Sequence, residues 1–214
     1  ALTTLGVGMG DTVAVMDWDS HRYLESYFAV PMMGSVLFNV NVRLSEDQII
    51  YTMNHARPKV LLVNAEFLPV FNDIRAQLES VEHVILLNDG APQDAAALGM
   101  AGEYEALLAA SPAQFDFPDF DEHTRATTFY TTGTTGDPKG VMLMHRNFTG
   151  LLASLAPLFP LTHRDRVLSV LPLHHTFEFT CGMLLPLMLG ARIVYVRELT
   201  ADGLNEGFSK GKIT

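Results

Sequence analysis

Cysteine is nearly absent from this sequence: Cys181 stands alone among 214 residues. A single thiol forbids an internal disulfide and fits a reducing, cytoplasmic setting. Free cysteine is most often a small core residue, and Cys181 is read as one. Long apolar runs are absent too. The nearest approach to the ~20 residues of a membrane span is CGMLLPLMLGARIVYV, which Pro186, Gly190 and Arg192 interrupt. A helix followed by a buried strand is the expectation there, and no transmembrane segment. The opening residues, ALTTLGVGMGDTV, hold no basic segment leading into an apolar one, so no signal peptide is evident. The missing initial Met suggests a trimmed start. Positive charge is scarce: 14 Lys and Arg against 24 Asp and Glu leave a net charge of -10. That excludes the basic face of a nucleic-acid binder. Any polyanion bound here has to be held by local groups.

What is present is a core. Hydrophobic residues make up 48% of the chain and the mean hydropathy is +0.18, a globular composition. Strand-like and helix-like patterns alternate. DTVAVMDW reads as a strand and SHRYLESYFAVPMMG as a helix ending near Gly34. SEDQIIYTMNHA opens with Ser45 as an N-cap and acids in the first turn, where they suit the helix dipole. PKVLLV and HVILLN read as buried strands, separated by a helix disturbed near Pro69. Residues 91–124 read as a surface connection with a short helix around EYEALLAA. The alternation then resumes: RATTFYTTG a strand, GVMLMH its hairpin partner, RNFTGLLASLAPLF a helix, DRVLSVLP a strand, TFEFTCGMLLPLMLG a helix and ARIVYV a strand. TADGLNEGFSKG is a last helix, weakened by its glycines. This is an α/β pattern with mostly parallel sheets flanked by helices. It divides into a first α/β unit at 1–90, the connection at 91–124, and an α/β unit at 125–214.

The chemistry concentrates in TTGTTGDPKG, residues 131–140, directly after a predicted strand, where ligand loops of parallel sheets lie. Gly133, Gly136 and Gly140 permit positive φ and close approach of a ligand. Successive backbone N–H groups can form an anion-binding nest. Thr131, Thr132, Thr134 and Thr135 add hydroxyls, Pro138 stiffens the exit, and Lys139 supplies one positive charge. The Walker pattern fails, because Gly140 follows Lys139 where Ser or Thr is needed. The G-x-G-x-x-G pattern fails as well. GVGMGD, with Gly6, Gly8 and Gly10, precedes a strand instead of following one and reads as a turn. The bland alternative for residues 131–140 is a mobile surface hairpin.

FYTTGTTGDPKGVMLMHRN resembles the phosphate-binding signature of the adenylate-forming superfamily, which includes acyl- and aryl-CoA synthetases, luciferase and peptide-synthetase adenylation domains. His145 fills the signature's final position. Two further stretches agree: the N-x-R-L turn at Asn41, Arg43 and Leu44, and VLPLHHTFEF, which resembles the family's Pro-Leu-x-His signature. The resemblance covers nearly the whole chain and implies part of the large N-terminal domain of acyl-CoA synthetases, with the mobile C-terminal domain absent. It implies a carboxylic acid, ATP and coenzyme A as substrates and Mg²⁺ as cofactor, giving an acyl-adenylate and then a thioester. It assigns phosphate contacts to Thr131, Thr132, Gly133, Thr134, Thr135, Gly136 and Lys139. It places His175 at the acyl site as the catalytic-site histidine.

Glu178, three residues after His175, is similar to the fatty-acyl branch. Aryl-acid or amino-acid adenylation is the alternative within the family, and a non-catalytic nucleotide-binding module the alternative outside it. His174 and His175 are not expected to bind a metal together, since neighbours on a strand point to opposite faces and no H-E-x-x-H pattern exists. The His-His-x-x-x-Asp-Gly pattern of condensing acyltransferases fails at Phe179 and Thr180. His174 is read as a packed or surface residue and Asp137 as solvent-facing. The Tyr-Gly-x-Thr-Glu and Thr-Gly-Asp motifs of the family are not in these 214 residues, so the chain alone is expected to have little or no ligase activity.

Overall fold

The computed structural model describes every residue except 91–92, 132–136 and 197–198. The chain forms two compact units, Ala1–His145 and Arg146–Thr214.

The first unit contains β1 (Thr12–Met16), α1 (His21–Met32), β2 (Val36–Asn39), α2 (Glu46–Ala56), β3 (Val60–Asn64), α3 (Leu68–Ile74), β4 (His83–Leu87), β5 (Gly102–Glu103), α4 (Tyr104–Ala109), β6 (Arg125–Thr131) and β7 (Lys139–Met144). The strands form one sheet in the order β5-β4-β3-β1-β2-β6-β7. Every pairing is parallel except the β6–β7 hairpin. Every residue of β1, β2 and β3 is buried. That is the signature of a parallel sheet covered on both faces, and it explains apolar runs with no alternation. On one face Ala14, Met16, Phe38, Leu61 and Val63 pack with Ile49 and Met53 of α2 and Phe71 and Ile74 of α3. Fully burying a Val, Leu, Ile, Phe or Met side chain of this set stabilises by about 1.5–3 kcal/mol.

Local signals fix the helix ends. Ser45 caps α2 by accepting from the Gln48 N–H, with Glu46 and Asp47 in the first turn, as the sequence predicts. Ser20 caps α1 in the same way, accepting from the Tyr23 N–H. Pro69 does not kink a long helix. It sits in the first turn of α3, after a 3₁₀ turn at Ala65–Phe67; proline lacks the N–H that a first turn leaves unpaired. Gly6 and Gly10 take φ of 74° and 83°, so GVGMGD is a turn.

The second unit opens with α5 (His145–Leu155), whose first residue is the last of the first unit. It holds β8 (Arg166–Ser169), a π-helix at Glu178–Leu184 continuing into α6 (Leu185–Met188), β9 (Arg192–Tyr195) and α7 (Ala201–Gly211). β8 and β9 pair in parallel. Two glycines of α7 serve close packing: a Cβ on Gly207 would lie 2.9 Å from Leu168, and one on Gly211 3.0 Å from Val194. The units divide after His145, whereas the sequence reading opens its later unit at 125. The difference is the β6–β7 hairpin, which joins the first sheet through the parallel pairing of β6 with β2. No helix among the described residues is long and apolar enough to cross a membrane.

Candidate functional site

β6 forms because Ala126, Thr127, Thr128 and Phe129 are all buried between β2 and β7. Its last residues emerge at the C-terminal edge of the parallel sheet, the side on which such sheets bind ligands. β7 runs back antiparallel, with Tyr130 opposite Gly140 and Thr131 opposite Lys139. The hairpin therefore brings Thr131 and Lys139 together as direct cross-strand partners, both exposed. Of the other sequence-predicted loop residues, Thr132, Gly133, Thr134, Thr135 and Gly136 lie outside the described residues. Pro138 is buried at the exit and Asp137 is exposed, as expected.

Gly140 corrects an expectation. It is a β7 residue and is not among the glycines with positive φ. A Cβ there would meet the Tyr130 ring at 3.4 Å, an ordinary contact. Its place in the signature is therefore not a left-handed turn in this structure.

Tyr130 anchors the strand end, a role that sequence reading missed. Its ring packs on Phe38 at 5.1 Å between centroids. Its hydroxyl lies 2.7 Å from Nδ1 of His55, at the C-terminal end of α2. Burial, and then the neighbouring Tyr51, push the phenol's pKa up to about 12. His145, the last residue of the signature, begins α5 and packs on Phe120 at 4.8 Å. Burial lowers its imidazole pKa, opposed by a hydrogen bond to the backbone of Pro31.

His175 belongs to the second unit. His174 and His175 lie in a turn, not on a strand, so the opposite-face argument does not apply to them. His175 occupies the N-terminal cap of the helical stretch 176–188. Its carbonyl accepts from the Phe179 N–H at 3.0 Å, and its Nδ1 accepts from the Phe177 N–H at 3.3 Å. An accepting Nδ1 places the ring proton on Nε2. His175 is exposed and His174 half-buried. Glu178, one turn on, is buried, and its Oε1 accepts from the Ser169 hydroxyl at 2.5 Å. Cys181 is only partly buried; desolvation and the nearby Glu178 raise its thiol pKa. Among the described residues, no three His, Cys, Asp or Glu side chains converge as a metal site.

A parallel α/β sheet with a hairpin rising from its C-terminal edge defines a class of α/β proteins that bind ligands at that edge. The chain belongs to the AMP-binding enzyme family, whose model matches residues 1–214. It is 42% identical over 176 residues to a long-chain-fatty-acid–CoA ligase of Thermus thermophilus, which covers 81% of this chain and 31% of that protein. The crystal structure of the anthranilate CoA ligase AuaEII in complex with anthranoyl-AMP superposes with a TM-score of 0.89 at 26% identity, over 100% of this chain and 40% of that one. The inhibitor-bound N-terminal domain of FACL13 from Mycobacterium tuberculosis matches with a TM-score of 0.84 at 25% identity, over 99% of this chain and 50% of that one. The fold is that of the N-terminal domain of acyl-CoA synthetases, and the chain spans about a third of the Thermus relative's length.

Proposed function

We propose that the full-length protein activates a carboxylic acid with ATP and transfers the acyl group to coenzyme A. A carboxylate oxygen attacks the α-phosphorus of ATP. The bond to the bridging oxygen breaks, and pyrophosphate leaves with the electron pair. The observation that carries this reading is the β6–β7 hairpin, whose register sets Lys139 opposite Thr131 at the mouth of the signature loop. Phosphoryl chemistry of this kind is mostly positioning and charge stabilisation. Lys139 and the loop from Thr131 through Thr132, Gly133, Thr134, Thr135 and Gly136 are assigned to the β- and γ-phosphates. Mg²⁺ supplies further charge neutralisation on the phosphates when bound.

His175 is assigned to the acyl site, where its outward Nε2–H offers a donor to the acid's carboxyl group. A fatty acid is the preferred substrate class. Its supports are Glu178 in His-x-x-Glu spacing and the name of the Thermus relative. An aryl acid is the second reading, favoured by the likeness to the anthranilate ligase. ATP–pyrophosphate exchange by the full-length protein across fatty, aryl and amino acids tests both readings. Exchange strongest with fatty acids is expected. Exchange confined to aryl or amino acids replaces the substrate class, and no acid-dependent exchange overturns the enzyme reading.

A further inference from the structure

Glu178 is 5% exposed, yet among the described residues no Lys, Arg or His forms an ion pair with it. An ionised carboxylate in such a place carries a desolvation cost that an apolar residue of similar size avoids. Its surroundings are nonetheless shaped to receive it. Oε1 accepts from the hydroxyl of Ser169, itself 3% exposed and the last residue of β8. The carboxylate lies forward along its own helix, over Gly182. A Cβ built on Gly182 would collide with Cδ and Oε1 and come within 2.8 Å of Oε2. Gly182 does not have a positive φ, so steric room for Glu178, not backbone conformation, accounts for the glycine. The segment is a π-helix, a wider coil that recurs at functional sites.

The same helical stretch starts at His175, whose backbone carbonyl and Nδ1 both receive N–H groups of its first turn. Glu178 is thus one turn from the cap and fastened to the C-terminal end of β8. The cap residue and the fastening residue are parts of one helical turn. We propose that Glu178 is a positioning residue for His175: through Ser169 and over Gly182, it fixes the turn that aims the His175 Nε2–H at the acid substrate. The inference rests on the reading of His175 as an acyl-site residue. It goes beyond that reading in giving Glu178, Ser169 and Gly182 one shared task. Glu178 touches no reacting atom. It acts by geometry, and a displacement of about 1 Å at such a site costs on the order of a hundredfold in rate.

The test is steady-state kinetics of acid-dependent pyrophosphate exchange by the full-length protein, varying the acid and ATP separately. Variants are Ser169→Ala, Glu178→Leu, Glu178→Gln and the Ser169→Ala/Glu178→Leu double. Ser169→Ala and Glu178→Leu are expected to raise KM for the acid and so lower kcat/KM for the acid by about ten- to a hundredfold, with KM for ATP within about twofold of wild type. The double variant is expected to be no worse than Glu178→Leu, because both remove one contact. Glu178→Gln keeps an acceptor for the Ser169 hydroxyl and should recover most of what Glu178→Leu loses.

A purely structural role predicts a smaller active fraction instead: kcat falls, and both KM values stay at wild type. That result overturns the proposal, as do unchanged kinetics in a folded Ser169→Ala protein. If Glu178→Leu does not fold, Ser169→Ala and Glu178→Gln decide. A wild-type protein with no acid-dependent exchange overturns the enzyme reading itself, a different failure from active wild type with unaffected variants.

Discussion

The hydroxyl of Tyr130 meets Nδ1 of His55 at 2.7 Å, tying the strand that leads into the signature loop to the C-terminal end of α2. The contact spans 75 residues of chain, and the Tyr51 ring stacks on His55 at 5.8 Å between centroids. It gives the start of the loop a fixed footing on the core face that holds Phe38.

Tyr130→Phe keeps the ring and removes the bond, so it should destabilise the chain by about 0.5–1.5 kcal/mol in urea unfolding. The phenol's pKa is raised from 10.0 to about 12. A raised native value favours the protonated form. The contribution is therefore full below pH 10 and is lost as pH rises through about 12. The alkaline limb of the stability curve should be flatter in Tyr130→Phe. Parallel limbs in the two proteins would count against Tyr130 as the group responsible.

Lys139 is exposed, and among the described residues no carboxylate pairs with it. Its charge is available to a ligand, and removal should cost little fold stability. In the full-length protein, Lys139→Ala is expected to lower acid-dependent pyrophosphate exchange by about a hundredfold, the usual cost of removing one stabiliser of developing charge. The melting temperature should stay near wild type. Unchanged exchange would remove Lys139 from the phosphate site.

His145 predicts a pH effect of the opposite sense to Tyr130. Burial lowers its pKa from the ordinary 6.5, and the hydrogen bond to the Pro31 backbone only partly offsets this. A depressed native value means that the unfolded chain binds the proton more readily. The contribution is full above pH 6.5 and is lost as pH falls through the lowered value. His145→Gln keeps a donor and cannot titrate. Urea midpoints measured from pH 8 to pH 5 should fall more steeply in wild type than in the variant.

These residues also show where the sequence was legible. Ser45 with Glu46 and Asp47, and the hairpin partner GVMLMH, are local signals: a cap and a short apolar run beside glycines. β2 was not legible. SVLFN follows directly on the apolar end of α1, and a four-residue strand buried on both faces has no alternation to show its period. The pairing of His55 with Tyr130 depends on how α2 crosses the sheet, which no local pattern encodes. Glu178 was visible only as a spacing. That it lies over Gly182 and under Ser169 follows from a helix i,i+4 relation and from the end of β8, so three-dimensional placement was needed. Within the candidate site, the motif was legible as a family signature before its geometry. The register of Thr131 on Lys139 came from the sheet.

Arg22 offers a test of the scaffold itself. It is 5% exposed, and its guanidinium has three separate acceptors: Asp89 Oδ1 at 2.5 Å, Glu105 Oε1 at 3.0 Å and the Asn88 carbonyl at 3.0 Å. This fork ties the start of α1 to the segment after β4 and to α4. Lysine lacks the planar set of donors, so Arg22→Lys should recover little of the loss. Arg22→Met keeps the apolar stem and removes every bond, with an expected cost of about 2 kcal/mol. Asp89 and Glu105 remain half-exposed and can turn to water, which holds the cost below that of stranding a buried charge. The hydrogen bond and charge of Arg22 hold the Asp89 carboxyl below its usual pKa. That contribution is full above pH 3.8 and is lost as pH falls through the lowered value. The acid limb of unfolding should therefore be shallower in Arg22→Met than in wild type. An acid limb of unchanged slope would show that the Arg22–Asp89 pair does not govern acid stability.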